Sequence, residues 1–192
     1  MKGDANIIFL VRRLEYMREY VEINIDKTDI DAQELKSLAI SLVAAMKKSK
    51  LTFASAESCT GGLIGGIITS ASGSSDIYLG GIITYTNDVK IGVLGVDKDL
   101  IDEHTEVSFC VAEDMAKKVK EKLGADIGVS ATGYAGPTGG TQKDPVGTVY
   151  VGIAFGDYQK AFRLSFKNCV CREEIRLMVV EFVLTKLLLF CA

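Results

Sequence analysis

The residues of this chain best suited to chemistry fall in three short segments. The first is Ala56-Glu57-Ser58-Cys59-Thr60-Gly61-Gly62, set between an apolar strand-like run and a helix-like one. A serine at a strand end presents its hydroxyl. The following Thr60, Gly61 and Gly62 would offer backbone N–H groups at a helix N-terminus, where an anion or a developing oxyanion is stabilised. The same pattern also fits a plain N-cap serine, which stabilises a helix by about 1 kcal/mol. It is neither a P-loop nor a G-x-S-x-G elbow. The second segment carries Tyr85 at a strand end, Asn87 at a helix start and Lys90 about one turn in. Lys90 reads either as a solvated surface lysine or, if partly buried, as a group able to lose its proton and act as a base. The third runs from Thr132 and Gly133 through Tyr134, Ala135, Gly136 and Pro137 to Gly147, and it holds both prolines of the chain. Its glycines allow a backbone to approach a ligand closely. The chain has one histidine, His104. A multi-histidine metal site therefore has no ligands, and a histidine-based triad would rest on that residue alone. Lysine and tyrosine are the available substitutes, and neither a metal nor a cofactor is expected.

The elements that must position these segments alternate between strand-like and helix-like runs. Asp31 predicts an N-cap, with Glu34 as capping-box partner, for a helix to about Lys50 marked by Leu35, Leu38, Ala39, Leu42, Val43 and Met46. A strand over Leu51–Ala56, a glycine-rich helix over Thr60–Ser70, a strand over Tyr78–Tyr85 and a helix from Asn87 to Gly95 follow. Next come an amphipathic helix over Val111–Leu123 stopped by Gly124, and a strand over Ala125–Ala131. A hairpin of Thr148–Phe155 and Ala161–Phe166 turns at Gly156-Asp157, and a last helix spans Arg172–Phe190. This alternation predicts an α/β fold, a three-layer α/β/α sandwich around a mixed, mostly parallel sheet of about five strands. All three segments leave strand C-terminal ends, where open α/β sheets bind ligands. Residues 29–192 form the expected domain. Residues 1–28 lack a clean period and read as an extension, a linker or an extra helix over Leu10–Tyr20.

Composition narrows the classes further. The 192 residues are 48% hydrophobic with a formal charge of −3, which suits one globular core and excludes a disordered chain. The acidic balance lacks the footprint of nucleic-acid binding. Five cysteines at scattered spacings, including the Cys169–Cys171 pair, match no disulfide framework or zinc-finger spacing and point to a reducing, cytoplasmic setting. The apolar stretch Met178–Phe190 contains Glu181 and Lys186 and is too short to span a bilayer. It reads as a buried helix whose exposed face favours a homo-oligomer.

With their order and spacing, AESCTGG, GGIITYTNDVK followed by LGV, and TGYAGPTGGT followed by PVGTVYVG resemble the CinA C-terminal domain family, the nicotinamide-nucleotide amidases. The likeness covers about Asp31 to the C-terminus. It implies hydrolysis of nicotinamide mononucleotide to nicotinate mononucleotide and ammonia. By the same resemblance Ser58 matches the nucleophile, Lys90 its base and Tyr85 the neighbouring tyrosine. Arg172 is carried over as a substrate-side arginine, and Thr60, Gly61, Gly62, Asn87, Thr132, Gly133, Ala135 and Gly136 are the candidate substrate-binding residues of the same loops. The chain departs from the family at Phe166-Lys167-Asn168-Cys169-Val170-Cys171-Arg172, where relatives show F-x-G-D-R-E, and at Tyr134, where they carry a smaller aliphatic residue. Relatives often hold this domain behind a larger N-terminal one, which residues 1–28 are too short to replace. Two alternatives stay open: a silent module that binds a pyridine nucleotide, and an amidohydrolase for another small amide with Cys59 as thiolate.

Overall fold

The computed structural model describes residues 21–25, 30–166 and 171–191. The helix expected over Leu10–Tyr20 and the departure at 167–170 lie outside the described residues. Six strands form one sheet: β1 (Val21–Ile25), β2 (Phe53–Glu57), β3 (Tyr78–Ile83), β4 (Ile127–Gly133), β5 (Thr148–Phe155) and β6 (Tyr158–Phe166), in the order β1-β6-β5-β4-β2-β3. β1 runs parallel to β6, β4 parallel to β2, and β2 parallel to β3, while β5 is antiparallel to both β4 and β6. The sixth strand, β1, falls inside the stretch read as an extension. Its Val21, Ile23 and Ile25 face the sheet's apolar side while Glu22 and Asn24 are exposed. Two periods of alternation are too short a signal for a strand that only pairing with β6 makes visible.

Helices cover both faces. On one, α1 (Ala32–Ser49), α2 (Leu63–Thr69) and α6 (Arg172–Leu189) pack on one another and on the sheet. Their core includes Leu42, Met46, Phe53, Ile68, Val151, Leu164, Val179 and Leu184, all essentially inaccessible. Asp31 caps α1 by accepting from the Gln33 amide at 2.9 Å, as its position predicts. On the other face lie α3 (Asn87–Val89) with a π-helical turn over Lys90–Leu94, α4 (Lys98–His104) and α5 (Phe109–Leu123). α4 occupies what reads in sequence as a polar connection, and Asp97 caps it. α5 lies against the sheet backbone itself, because a Cβ on Gly128 would stand 1.9 Å from the Ala116 carbonyl oxygen and one on Gly152 2.1 Å from that of Ala112. Ser130 Oγ donates to the same Ala112 carbonyl at 2.6 Å.

The helix expected from Thr60 begins only at Leu63. Gly61 and Gly62 have φ of 60° and 93°, left-handed values that break the helix before it starts. The last helix is buried as expected, with Leu189 at its end the strongly exposed apolar side chain. Seven of its apolar side chains, from Ile175 to Leu187, are buried. The other exposed large apolar residues gather on and after the edge strand β3, at Leu79, Ile83, Tyr85 and Val93, with Ile40 and Val146 elsewhere. No described helix is long and apolar enough to cross a membrane.

Candidate active site

β2 is buried along its whole length because strands pair with it on both sides. The pairing continues past its end: the Ser58 amide donates to the Ala131 carbonyl at 2.9 Å and the Thr84 amide to the Glu57 carbonyl at 2.8 Å. Ser58 is thereby held at the sheet's C-terminal edge, only 8% exposed. Glu57 is an ionisable residue at the end of an otherwise small and apolar strand, and its carboxylate is almost fully buried. It accepts four hydrogen bonds, from the Gly62 and Ile64 amides on Oε2 and from the Gly65 amide and Ser55 hydroxyl on Oε1, all at 2.9–3.0 Å. The N-terminus of α2 is thus occupied by the chain's own anion. The expected supply of three free amides from Thr60–Gly62 is reduced accordingly. Gly62 serves Glu57, Gly61 donates to the Ser58 carbonyl at 3.2 Å, and of the three amides only that of Thr60 has no partner among the described residues.

Lys90 enters from the other side of the edge. Thr86 caps α3 through its hydroxyl, and the chain then widens into a π turn that begins at Lys90. Such turns recur at functional sites because they rotate a side chain off the regular helical register. Lys90 is 1% exposed. Its Nζ lies 3.2 Å from Ser58 Oγ and 3.0 Å from the Thr84 carbonyl oxygen, donating to both when charged. Burial lowers its pKa from the ordinary lysine value, opposed in part by the charge of Glu106. A neutral Lys90 keeps an N–H for the Thr84 carbonyl and turns its lone pair on the serine hydroxyl, which is the arrangement a serine nucleophile requires of its base. Cys59, one residue on, is buried, and desolvation pushes its thiol up to about 12. It is a small core residue and not a thiolate. The hydroxyls of Thr60 and Thr84, which flank the pair, are buried without a partner among the described residues.

The structure brings Arg172 to the same edge. Its Nη2 donates to the Tyr85 hydroxyl at 3.3 Å and its Nη1 to the Gly136 carbonyl at 2.9 Å, so it joins the second and third segments. Tyr85 is otherwise the most exposed of the large apolar and aromatic side chains among the described residues, at 62%. Asn87 is exposed beside it at the start of α3. The remaining candidates in the glycine loop have structural duties. Thr132 Oγ1 donates to the Glu106 carbonyl at 2.8 Å, Ala135 is buried in the core, and a Cβ on Gly133 would collide with Thr148 and Val149. Gly136 keeps its carbonyl for Arg172 at a φ of 79°. The loop is tied down by Asp144, whose Oδ1 accepts from Tyr150 at 2.8 Å and from Arg163 at 3.0 Å.

Four residues of the site are not among the candidates picked out in the sequence. Glu57 has a signal, a charge closing a buried strand. Arg176, whose Nη2 donates to the Thr60 carbonyl at 2.7 Å, has one in its four-residue spacing from Arg172. Glu106 has none, since only tertiary structure brings its charge to Lys90, and Thr84 enters through its backbone carbonyl, which a residue of any type would supply. No group of three or more His, Cys, Asp or Glu side chains able to hold a metal occurs among the described residues.

Comparison with known proteins places this geometry. The sequence profile of the CinA C-terminal domain matches residues 35–191. A CinA-like protein of Salinibacter ruber is 54% identical over 122 residues, 64% of this chain and 30% of that protein. A putative competence-damage inducible protein of a Thermoanaerobacter species is 40% identical over 156 residues, 80% of this chain and 37% of that protein. The chain spans about a third of the length of these curated relatives. Among solved structures, the competence/damage inducible protein CihA of Agrobacterium tumefaciens superposes with a TM-score of 0.78 at 32% identity, covering 86% of this chain and 99% of that one. A CinA superfamily protein of Escherichia coli gives 0.78 at 28%, covering 86% and 95%. A profile match over nearly the whole described domain, close relatives and a shared fold together establish that the chain belongs to the CinA C-terminal domain family.

Proposed function

We propose that the chain is a nicotinamide-nucleotide amidase that converts nicotinamide mononucleotide to nicotinate mononucleotide and ammonia through a Ser58–Lys90 pair. The observation that carries this reading is the contact of a nearly inaccessible lysine with the hydroxyl of a strand-end serine. Neutral Lys90 takes the Ser58 proton as Oγ attacks the carboxamide carbon. The Thr60 amide is a donor left in the turn for the oxygen that becomes negative. The proton on Lys90 passes to the amide nitrogen, the carbon–nitrogen bond breaks and ammonia leaves. Lys90 then takes a proton from water, whose oxygen attacks the resulting ester. Return of that proton to Ser58 releases the carboxylic acid. Tyr85 and Arg172 stand at the mouth, where they hold the rest of the nucleotide.

The test is ammonia release from nicotinamide mononucleotide by the purified chain, with Ser58→Ala and Lys90→Met as controls. Release that both substitutions remove supports the reading. Binding of the nucleotide without turnover by the unaltered chain refutes the amidase and leaves a binding module.

A further inference from the structure

The strand pairing that continues past β2 sets Ser58 between Thr84 on one side and Thr132 on the other. Lys90 is tied to the Thr84 side through the Thr84 carbonyl at 3.0 Å. Glu106 is tied to the Thr132 side, where its own carbonyl accepts from Thr132 Oγ1 at 2.8 Å. The serine therefore has the lysine on one flank and the glutamate on the other. Glu106 is half-buried in the turn between α4 and α5. Its carboxylate differs from two others near this edge. Glu57 spends its charge on four donors, and Asp144 meets Arg163 at 3.0 Å. Among the described residues no lysine or arginine nitrogen lies within 4.0 Å of the Glu106 carboxylate. Its side chain meets the phenol of half-buried Tyr134, which burial, followed by the charges of Glu106 and Asp144, holds in its protonated form as a donor. A half-buried carboxylate without a counter-cation carries a desolvation cost that a cationic ligand would offset. In the free site it also works against the base, because its charge opposes loss of the Lys90 proton.

We infer that Glu106, held beside Ser58 with Tyr134 as its donor, is a specificity-determining residue that recognises a positively charged aromatic ring bearing the carboxamide. This deepens the amidase reading and rests on it for the identity of the substrate, since the ring of nicotinamide mononucleotide is a pyridinium cation. An opposite charge in a site shielded from water favours such a ring over a neutral ring of the same shape. The bound cation also offsets the charge of Glu106 at Lys90, so the substrate itself favours the neutral base that attack on its carboxamide requires. A neutral amide of equal size supplies neither effect.

The experiment uses calorimetry on Ser58→Ala protein, which prevents turnover, with two matched pairs of probes. Nicotinamide mononucleotide is set against its reduced dihydro form, whose ring is neutral, and the ring-methylated nicotinamide cation against nicotinamide. Glu106→Gln keeps an acceptor for Tyr134 and removes the charge, Glu106→Asp keeps the charge, and thermal melting verifies both folds. Glu106→Gln is expected to weaken the two cationic probes about tenfold or more and to leave the neutral ones unchanged, while Glu106→Asp retains the preference for the cations. An equal loss for charged and neutral rings, or no loss, overturns the inference. Where Ser58 and Lys90 still support ammonia release from nicotinamide mononucleotide, that result leaves the amidase standing. Glu106-dependent binding of the methylated cation by a chain that neither binds nor hydrolyses nicotinamide mononucleotide upholds the cation site and removes the amidase. Failure to bind either cation overturns the inference.

Discussion

The carboxylate of Glu57 organises the turn that carries Ser58, and replacing it with the isosteric amide tests this directly. In the native chain two donors converge on each carboxylate oxygen, three of them backbone amides at the start of α2 and one the Ser55 hydroxyl. Glutamine keeps one acceptor oxygen for the Gly62 and Ile64 amides but puts an NH2 where the other stood, facing the Ser55 hydroxyl, which can turn its proton to Tyr78 at 2.7 Å, and the Gly65 amide, which is left without a partner. Each stranded donor costs about 1–3 kcal/mol. Loss of the negative charge from the helix N-terminus adds about 0.5–1 kcal/mol. Glu57→Gln is therefore expected to lower the free energy of unfolding by about 1.5–4 kcal/mol, a large share of the roughly 5–15 kcal/mol typical of a domain. Ser55→Ala, which removes one of the four donors together with its hydroxyl, should cost far less. Urea unfolding followed by circular dichroism measures both. A Glu57→Gln protein within about 1 kcal/mol of the parent would show that the four short contacts do not hold the turn, and the argument for a rigid Ser58 would fall with it.

Four further expectations follow from the site and its support. Because burial lowers the Lys90 pKa, hydrolysis should rise with pH as the base form accumulates and level off below the ordinary lysine value of 10.5; a rate flat in pH up to that value would contradict the assignment. The same shift links to stability. The unfolded chain binds the Lys90 proton where the folded chain does not, so stability rises with pH between the lowered pKa and 10.5, and Lys90→Met should remove that rise in pH-dependent denaturation curves. With its thiol pushed up to about 12, Cys59 should resist iodoacetamide at neutral pH in the folded protein, and Cys59→Ser should retain ammonia release. Gly152→Ala would drive a methyl group to 2.1 Å from the Ala112 carbonyl oxygen, and it should destabilise the fold by about 3 kcal/mol or more in a thermal melt as α5 is pushed off the sheet.

Much of this protein is legible in its sequence. The 3.6-residue spacing of Leu35, Ala39, Leu42 and Met46, the Asp31 cap, and the Gly124 stop are local signals, and they specify α1 and the end of α5. The three loops could be ordered along the chain and assigned to strand ends because strands, helices and glycines alternate in a local pattern. Motif resemblance to the family rests on those same contiguous residues. Tertiary structure decided what no local window contains. Ser58 and Lys90 are 32 residues apart, Tyr85 and Arg172 are 87 apart, and Thr60 and Arg176 are 116 apart. β1 exists only because β6 is beside it. Whether the Thr60–Gly62 amides were free depended on where the Glu57 side chain turned, a choice between solvent and the start of α2 that strand burial settled. The charge state of a lysine, likewise, is set by every group within reach of its Nζ. Desolvation and Coulomb energies sum over neighbours from the whole fold, so composition named the residue and packing alone gave it the environment of a base.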